Sequence, residues 1–233
     1  MQKEGGSTGN PEWGYKLNFS PSPGDITHDF CGAAAISGAN CPNCNKPLLR
    51  LLSLSAKDPR LNLSEAHTSA VHLLYCWTCS IPFGEFSYEV DRDGAVQILE
   101  LPPRQPDNEF GPAGPYEGYT GRFPHHRVGL VPLKALEQQI LVVMQEGGAE
   151  ADYEAYFGHQ VGGSPFIYNP QERSCPRCSK AMPLLASICD NASDSDDFPV
   201  DPSLTFADSG GGVQIVFHFC RDCSIVSAYH SCD

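Results

Sequence analysis

The sequence predicts an α+β fold rich in β structure, in which two related knuckle-containing β repeats pack as one domain with one or two helices. Glycine and proline contribute 22 and 20 of the 233 residues, which favours turns and short strands over long helices. Apolar and polar side chains alternate over residues 213–219, as in a strand with one buried face. Four C-x-x-C units occur in two matched pairs, which indicates an internal repeat.

The two pairs of C-x-x-C units resemble each other in detail. The first unit of each pair reads C-P-x-C and has a lysine two residues later, in CPNCNK (41–46) and CPRCSK (175–180). An apolar segment follows each of these units, and another precedes each second unit. Both second units continue into Cys-Ser-Ile, at 79–81 and 223–225. The pattern therefore predicts that each repeat joins strands through a pair of knuckles.

Zinc is the metal that these knuckles predict. Two residues between thiols place both sulfurs on one side of a tight turn, which suits two corners of a tetrahedral Zn²⁺ site. Four thiolates leave no open position for water or substrate, so both sites are predicted to be structural. Buried free thiols, redox C-x-x-C pairs and disulfides are the alternatives, but the matched pairs without a βαβ pattern favour zinc. The predicted ligands of the two sites are Cys41, Cys44, Cys76, Cys79, Cys175, Cys178, Cys220 and Cys223.

Three further cysteines have no C-x-x-C partner. Cys31, Cys189 and Cys232 are predicted to be small buried hydrophobic residues, with replacement of a predicted ligand as the alternative. His72 and His218 lie close to knuckle cysteines, and we expect them to be packed or exposed side chains and not ligands.

The chain divides into five segments that we expect to form one continuous domain. They are a polar N-terminal arm (1–30), a first zinc-knuckle β repeat (31–101), a Pro/Gly-rich connector (102–132), a helical segment (133–158) and a second zinc-knuckle β repeat (159–233). Strands are predicted at 48–54, 71–75, 85–90, 95–101, 213–219 and 225–230. A helix is predicted at 133–145, after Pro132 and before two glycines, and a shorter one at 150–157.

The charge of the chain limits the classes of partner that it is expected to bind. The chain carries 28 acidic against 15 basic residues, a formal net charge of -13, which disfavours nucleic acid and favours a basic protein partner.

The chain has no apolar run of the ~20 residues that a spanning helix needs, and no apolar signal segment near its start, so we expect a cytoplasmic protein that does not enter a membrane. Catalytic motifs are absent, so an enzyme is not expected. Asp194, Asp196 and Asp197 lack an EF-hand pattern and indicate a solvated acidic loop. The alternative is a partner-facing patch, and these three residues are the ones through which the chain would bind a basic partner.

Several short motifs in the second half resemble the bacterial YwqG-like family, which is annotated mainly as of unknown function. The motifs are the G-G-x-P run at 161–165, the knuckle 175–178 with Met182, and the acidic turn at 206–210, and they cover roughly residues 155–230. The run at 166–169 lacks the glutamine that family members usually carry there. The eukaryotic programmed-cell-death-protein-2 family shares related features. The resemblance implies a β-rich fold without an established catalytic centre.

Members of the YwqG-like family include proteins that look like immunity proteins of bacterial polymorphic toxins, and the eukaryotic relatives resemble chaperones for a ribosomal protein. Together with the charge, the resemblance implies a zinc-stabilised acidic protein-binding module, of the immunity type, that covers a basic toxin or effector. A chaperone of a basic ribosomal protein, an uncharacterised enzyme and a zinc-ribbon nucleic-acid binder are the alternative interpretations.

Overall fold

The computed structural model describes residues 14–32, 35–63, 68–76, 86–101, 125–135, 137, 139, 159–163, 167, 170–189 and 213–232. Eleven strands and one 3₁₀ turn, Pro59–Leu61, account for nearly half of these residues. The strands are β1 (Tyr15–Asn18), β2 (His28–Phe30), β3 (Leu49–Ser55), β4 (Ala70–Tyr75), β5 (Phe86–Val90), β6 (Val96–Glu100), β7 (His126–Pro132), β8 (Gln160–Val161), β9 (Leu184–Cys189), β10 (Val213–Cys220) and β11 (Ile225–Cys232).

The predicted α+β class is wrong, because the described residues form a nearly all-β structure, an 11-stranded antiparallel sheet curled into a half-barrel. Of the predicted helix 133–145, the described residues Ala135, Glu137 and Gln139 have helical backbone, while its part from residue 140 onward lies outside the described residues. The predicted helix 150–157 also lies outside them. Among the described residues, α-helical backbone occurs only at 135, 137 and 139, whereas the apolar segments next to the knuckles pair into the sheet. No described helical segment has the length and apolar character needed to cross a bilayer.

The predicted strands are confirmed as β3, β4, β5, β6, β10 and β11. β5 and β6 form the predicted hairpin, in which the Asp91 carboxylate accepts hydrogen bonds from the backbone N–H groups of Asp93 and Ala95. Gly94 closes this turn with a φ of 80°, a conformation that glycine adopts without strain. β10 pairs with β11 over eight residue pairs, and the small turn between them contains the last knuckle.

The order of the strands shows how the two repeats interlock. It runs β4-β3-β2-β7-β1-β8-β9-β10-β11-β5-β6, with antiparallel pairing throughout. The first four strands, β1 to β4, and the later four, β7 to β10, follow each other in matching order on the two sides of the β7–β1 pair, as pseudo-two-fold symmetry would arrange them. β1 pairs with β8, and β7 pairs with β2, so each repeat inserts its first strand beside the second strand of the other.

Matching contacts confirm this relationship. Left-handed residues follow both β2 and β8: Cys31 and Gly32 have φ values of 52° and 79°, and Gly162 and Gly163 have values of 66° and 67°. The backbone N–H of Cys31 donates to Leu51, and that of Gly162 donates to Leu185. The repeat therefore begins well before the knuckles. Strands β1 and β2 lie in the segment for which the sequence predicts only a polar arm.

One buried histidine occupies the same place in each repeat. His28 accepts a hydrogen bond from the backbone N–H of Ser55 (3.0 Å), and His159 accepts one from that of Cys189 (3.2 Å). Both imidazoles are almost completely buried. The segments HDFCG (28–32) and HQVGG (159–163) contain this histidine three residues before the left-handed pair. This similarity is the sequence signal from which the longer repeat could have been recognised.

Candidate metal centres

The second centre brings together four cysteines from two turns of the sheet. Cys175 and Cys178 precede β9, and Cys220 and Cys223 bracket the turn between β10 and β11. Their four sulfurs all lie within 4.8 Å of one another, and the sulfurs of Cys178 and Cys220 are 3.7 Å apart. A tetrahedron with metal–sulfur bonds of ~2.3 Å has sulfur–sulfur edges of about 3.8 Å. This cluster could therefore hold a tetrahedral metal ion.

The first centre has the same construction in the first repeat. The sulfurs of Cys41, Cys44 and Cys76 lie within 4.8 Å of one another, and those of Cys44 and Cys76 are 3.8 Å apart. Cys41 and Cys44 precede β3, and Cys76 follows β4 directly. Cys79, the fourth predicted ligand, lies outside the described residues. Each centre thus joins the beginning of one strand to the end of its antiparallel neighbour.

Both C-P-x-C knuckles have the same backbone hydrogen bonds. The N–H of Cys41 donates to Lys46, and the N–H of Asn45 donates back to Cys41, each at 2.8 Å. In the second repeat, Cys175 is joined to Lys180 and Ser179 by the same two bonds at the same distances. Pro42 and Pro176 follow the first cysteine of each knuckle, where the fixed φ of proline favours the turn.

A left-handed residue follows the second cysteine of each described knuckle. Asn45, Ser179 and Ser224 have φ values of 57°, 58° and 54°. This conformation turns the chain back from the metal into the next strand. Asn tolerates it well, whereas serine has no such preference, so Ser179 and Ser224 are held there by the surrounding hydrogen bonds. The sequence pattern includes Ser224 in the repeated Cys-Ser-Ile motif, but it does not predict a left-handed backbone at any of the three positions.

The left-handed backbone at Ser179 provides a direct test of the knuckle. Replacing Ser179 by glycine is expected to stabilise the protein by up to about 1 kcal/mol, because glycine adopts φ > 0 without strain. Replacement by valine should cost at least 1–2 kcal/mol for the opposite reason, by rough estimate. Urea unfolding of the metal-loaded protein measures the change in unfolding free energy for both variants. As a control, Ser227→Gly in β11 should destabilise the protein; equal effects of glycine at 179 and 227 would contradict the argument.

The thiols of the two centres differ in acidity. A hydrogen bond from the Cys76 thiol, helped by backbone N–H groups, lowers the pKa of Cys41 to about 5. The backbone N–H of Lys180 does the same for Cys178 and lowers its pKa to about 7. Desolvation raises the pKa of Cys223 to about 12. Each centre therefore has one cysteine that ionises more readily than an ordinary thiol, and a divalent ion bound there would deprotonate the remaining thiols.

Two ion pairs surround the second centre and join its parts. Lys180 pairs with Asp222 at 2.5 Å, which connects the two knuckles across the metal position. The Arg177 guanidinium binds both carboxylate oxygens of Glu89 on β5, at 2.8 and 2.5 Å. Both cations lie near the cysteines, where they offset the negative charge of four thiolates around a divalent ion. Because these side chains are largely exposed, we assign their role to charge balance and not to stability.

The other predicted site residues that the structure describes belong to neither centre. Cys31 and Cys189 are buried and belong to neither cluster, and Cys232 ends β11. The Nδ1–H of His218 donates to the Met182 carbonyl at 2.9 Å, and Nδ1 of His72 is 2.8 Å from the Ser53 hydroxyl. Asp194, Asp196 and Asp197 lie outside the described residues.

Comparisons of this chain with protein-family models, with curated proteins and with solved structures find no match. The interpretation of the two centres therefore depends on their own geometry and chemistry.

Proposed function

We propose that this protein is a zinc-stabilised acidic protein-binding module, in which two cysteine centres fix a duplicated sheet that meets a basic protein partner. The second centre is the observation that carries the metal part of the proposal. Its four sulfurs lie within 4.8 Å of one another, with one sulfur–sulfur distance of 3.7 Å. This donor set is typical of structural zinc, because four thiolates at tetrahedral spacing suit a d¹⁰ ion with no preferred geometry.

A closed site of this kind supports binding and not catalysis. Each zinc with four thiolates carries a charge of about -2, so two such sites would add about -4 to the formal charge of the chain. The chain itself has a net charge of -13. A field of this sign accelerates encounter with a basic protein and disfavours acidic competitors. The resemblance to the YwqG-like family supports an immunity-type role, in which the module covers a basic toxin or effector.

The partner part of the proposal predicts charge-dependent capture. Immobilised full-length protein, incubated with a lysate of its host, should retain a basic protein that elutes as the salt concentration rises. Neutralising the three acidic residues in Asp194→Asn/Asp196→Asn/Asp197→Asn should weaken binding of that protein at least several-fold, measured by titration calorimetry. The matched control is Asp93→Asn, an exposed carboxylate in the β5–β6 turn.

The identity of the captured protein separates the candidate roles. A secreted toxin would support immunity, whereas a basic ribosomal protein would support the chaperone alternative. A partner that is not basic, or an affinity that the triple substitution leaves unchanged, would contradict the proposed charge-driven surface.

A further inference from the structure

The β5–β6 hairpin holds the segment of chain that leads into the first centre. The backbone N–H of Val96 on β6 donates to the carbonyl of Ser37 at 2.8 Å, four residues before Cys41. Gly38 lies against the same strand, because a Cβ atom placed there would be only 1.9 Å from the Val96 carbonyl oxygen. Its φ of 76° is also one that glycine adopts without strain. The segment before the first knuckle therefore lies directly on β6.

Strand β5 holds the strand that ends in the third described ligand of this centre. The Tyr88 hydroxyl accepts a hydrogen bond from the N–H of Leu74 and donates one to the carbonyl of His72, both at 2.7 Å. Leu74 lies two residues before Cys76. The Tyr88 side chain is fully buried, so these hydrogen bonds are shielded from water. Both parts of the first centre are thus attached to the hairpin, one through β6 and the other through β5.

The same hairpin contacts both knuckles of the second centre. The backbone N–H of Val90 donates to the carbonyl of Ser224, directly after the last knuckle, at 2.9 Å. The Glu89 carboxylate binds the Arg177 guanidinium in the other knuckle. On β6, the Leu99 side chain packs against a small apolar cluster, which consists of Cys175, Met182, Cys220 and Ile225. The hairpin therefore contacts both centres at once.

We propose that the β5–β6 hairpin couples the two centres, so that filling one centre raises the affinity of the other for Zn²⁺. This inference rests on the metal part of the proposed function. Filling a centre fixes its two knuckles and, through the contacts of Val96, Tyr88 and Leu99, the hairpin between the centres. A hairpin that is already fixed leaves less conformational entropy to be lost when the other centre fills. By linkage, the coupling acts equally in both directions.

Partial removal of zinc from the metal-loaded, full-length protein tests the coupling. A chelator is added until one Zn²⁺ per chain remains on average, and native mass spectrometry counts the chains that carry no ion, one ion or two ions. Independent centres, whatever their affinities, leave at least half of the chains with one ion. A coupling of about tenfold should lower this one-ion form to about a quarter when the two affinities are similar.

Two pairs of variants identify the hairpin as the connection. Leu99→Ala removes packing of β6 on the second centre, and the one-ion form should rise to half or more. Its control is Leu130→Ala, the same truncation in the buried core on β7, which should keep the wild-type distribution. Glu89→Gln breaks the ion pair between hairpin and knuckle and should raise the one-ion form by a smaller amount, because such pairs are weak. Its control is Asp222→Asn, which removes one carboxylate from the ion pair with Lys180 inside the second centre and should leave the distribution unchanged.

The proposal is overturned if the wild type leaves half or more of its chains with one ion, or if the two control variants raise the one-ion form as much as their counterparts. Glu89→Gln and Asp222→Asn keep the shape of the side chain, so this pair decides the matter even where Leu99→Ala does not fold. A wild type that binds two ions independently contradicts the coupling alone. A protein that carries no zinc contradicts the metal part of the proposed function, and the coupling with it.

Discussion

Replacing Cys220 by serine is expected to remove the metal from the second centre and to abolish the cooperative fold at 37 °C. Cys220 ends β10 and belongs to the cluster that joins the knuckle before β9 to the turn before β11. Binding of structural zinc contributes directly to folding, with apparent energies of about 10–16 kcal/mol in zinc-finger peptides. A typical domain has a total stability of only about 5–15 kcal/mol. Loss of even half of the metal contribution, about 5–8 kcal/mol, is therefore comparable with the whole stability of such a domain.

This prediction is tested by elemental analysis, which gives the zinc content, and by urea unfolding, which gives the stability. Wild-type protein should contain about two zinc ions per chain, since two cysteine clusters are present, and Cys220→Ser should contain about one or fewer. The control is Cys189→Ser, because Cys189 is equally buried and lies outside both clusters. Normal zinc content and an unchanged unfolding midpoint in Cys220→Ser would show that the cluster does not hold the structural metal.

Acidification is expected to destabilise the protein by about 5 kcal/mol between pH 7 and pH 4.5 through two buried histidines alone. Burial lowers the pKa of His159 to about 3 and that of His230 to about 4, from an ordinary value of 6.5. The fold therefore favours the neutral imidazoles, while the unfolded chain takes up protons as soon as the pH falls below 6.5. The stabilisation is complete above pH 6.5 and decreases toward the folded pKa values, by about 1.4 kcal/mol per histidine and pH unit.

A substitution separates this effect from acid release of the metal. In His159→Asn, the amide oxygen can accept the hydrogen bond from Cys189 that Nδ1 accepts in the wild type, but it does not titrate. The slope of unfolding free energy against pH between 4.5 and 6 should fall by about 1.4 kcal/mol per pH unit, even though the variant is less stable overall. Urea titrations at several pH values provide the slope. An unchanged slope would mean that His159 is already protonated in the folded protein.

The knuckles could be predicted because their chemistry is local. Two residues between cysteines, a proline after the first and a lysine after the second define the turn without reference to the rest of the chain. The β5–β6 hairpin could be predicted for the same reason, since Asp91 and Gly94 satisfy the turn by themselves. In the second centre, the antiparallel pairing of β9 and β10 then brings the two knuckles together, and with them all four predicted ligands.

The remaining strands could not be predicted because they depend on distant partners. β8 has only two residues and β2 only three, too few for any periodic pattern to be visible. They are strands because β1 and β7 arrive from the other repeat and satisfy their backbone groups. The contact of Tyr88 with β4 could not be predicted either, because it follows from the curl of the whole sheet and not from the neighbours of Tyr88 in sequence.

Each repeat pairs its first strand, β1 or β7, with the second strand of the other repeat, and this determines the order in which strands can pair during folding. β1 begins at residue 15, yet its two neighbours begin at residues 126 and 160. A chain growing from the ribosome thus carries β1 without either of these neighbours until residue 126 and those after it have been made. Loop closure over such distances is slow, so we expect a high contact order and a late, concerted assembly in which neither half completes its sheet alone. The strand order is the one that an intertwined dimer would have if its two subunits were joined into one polypeptide.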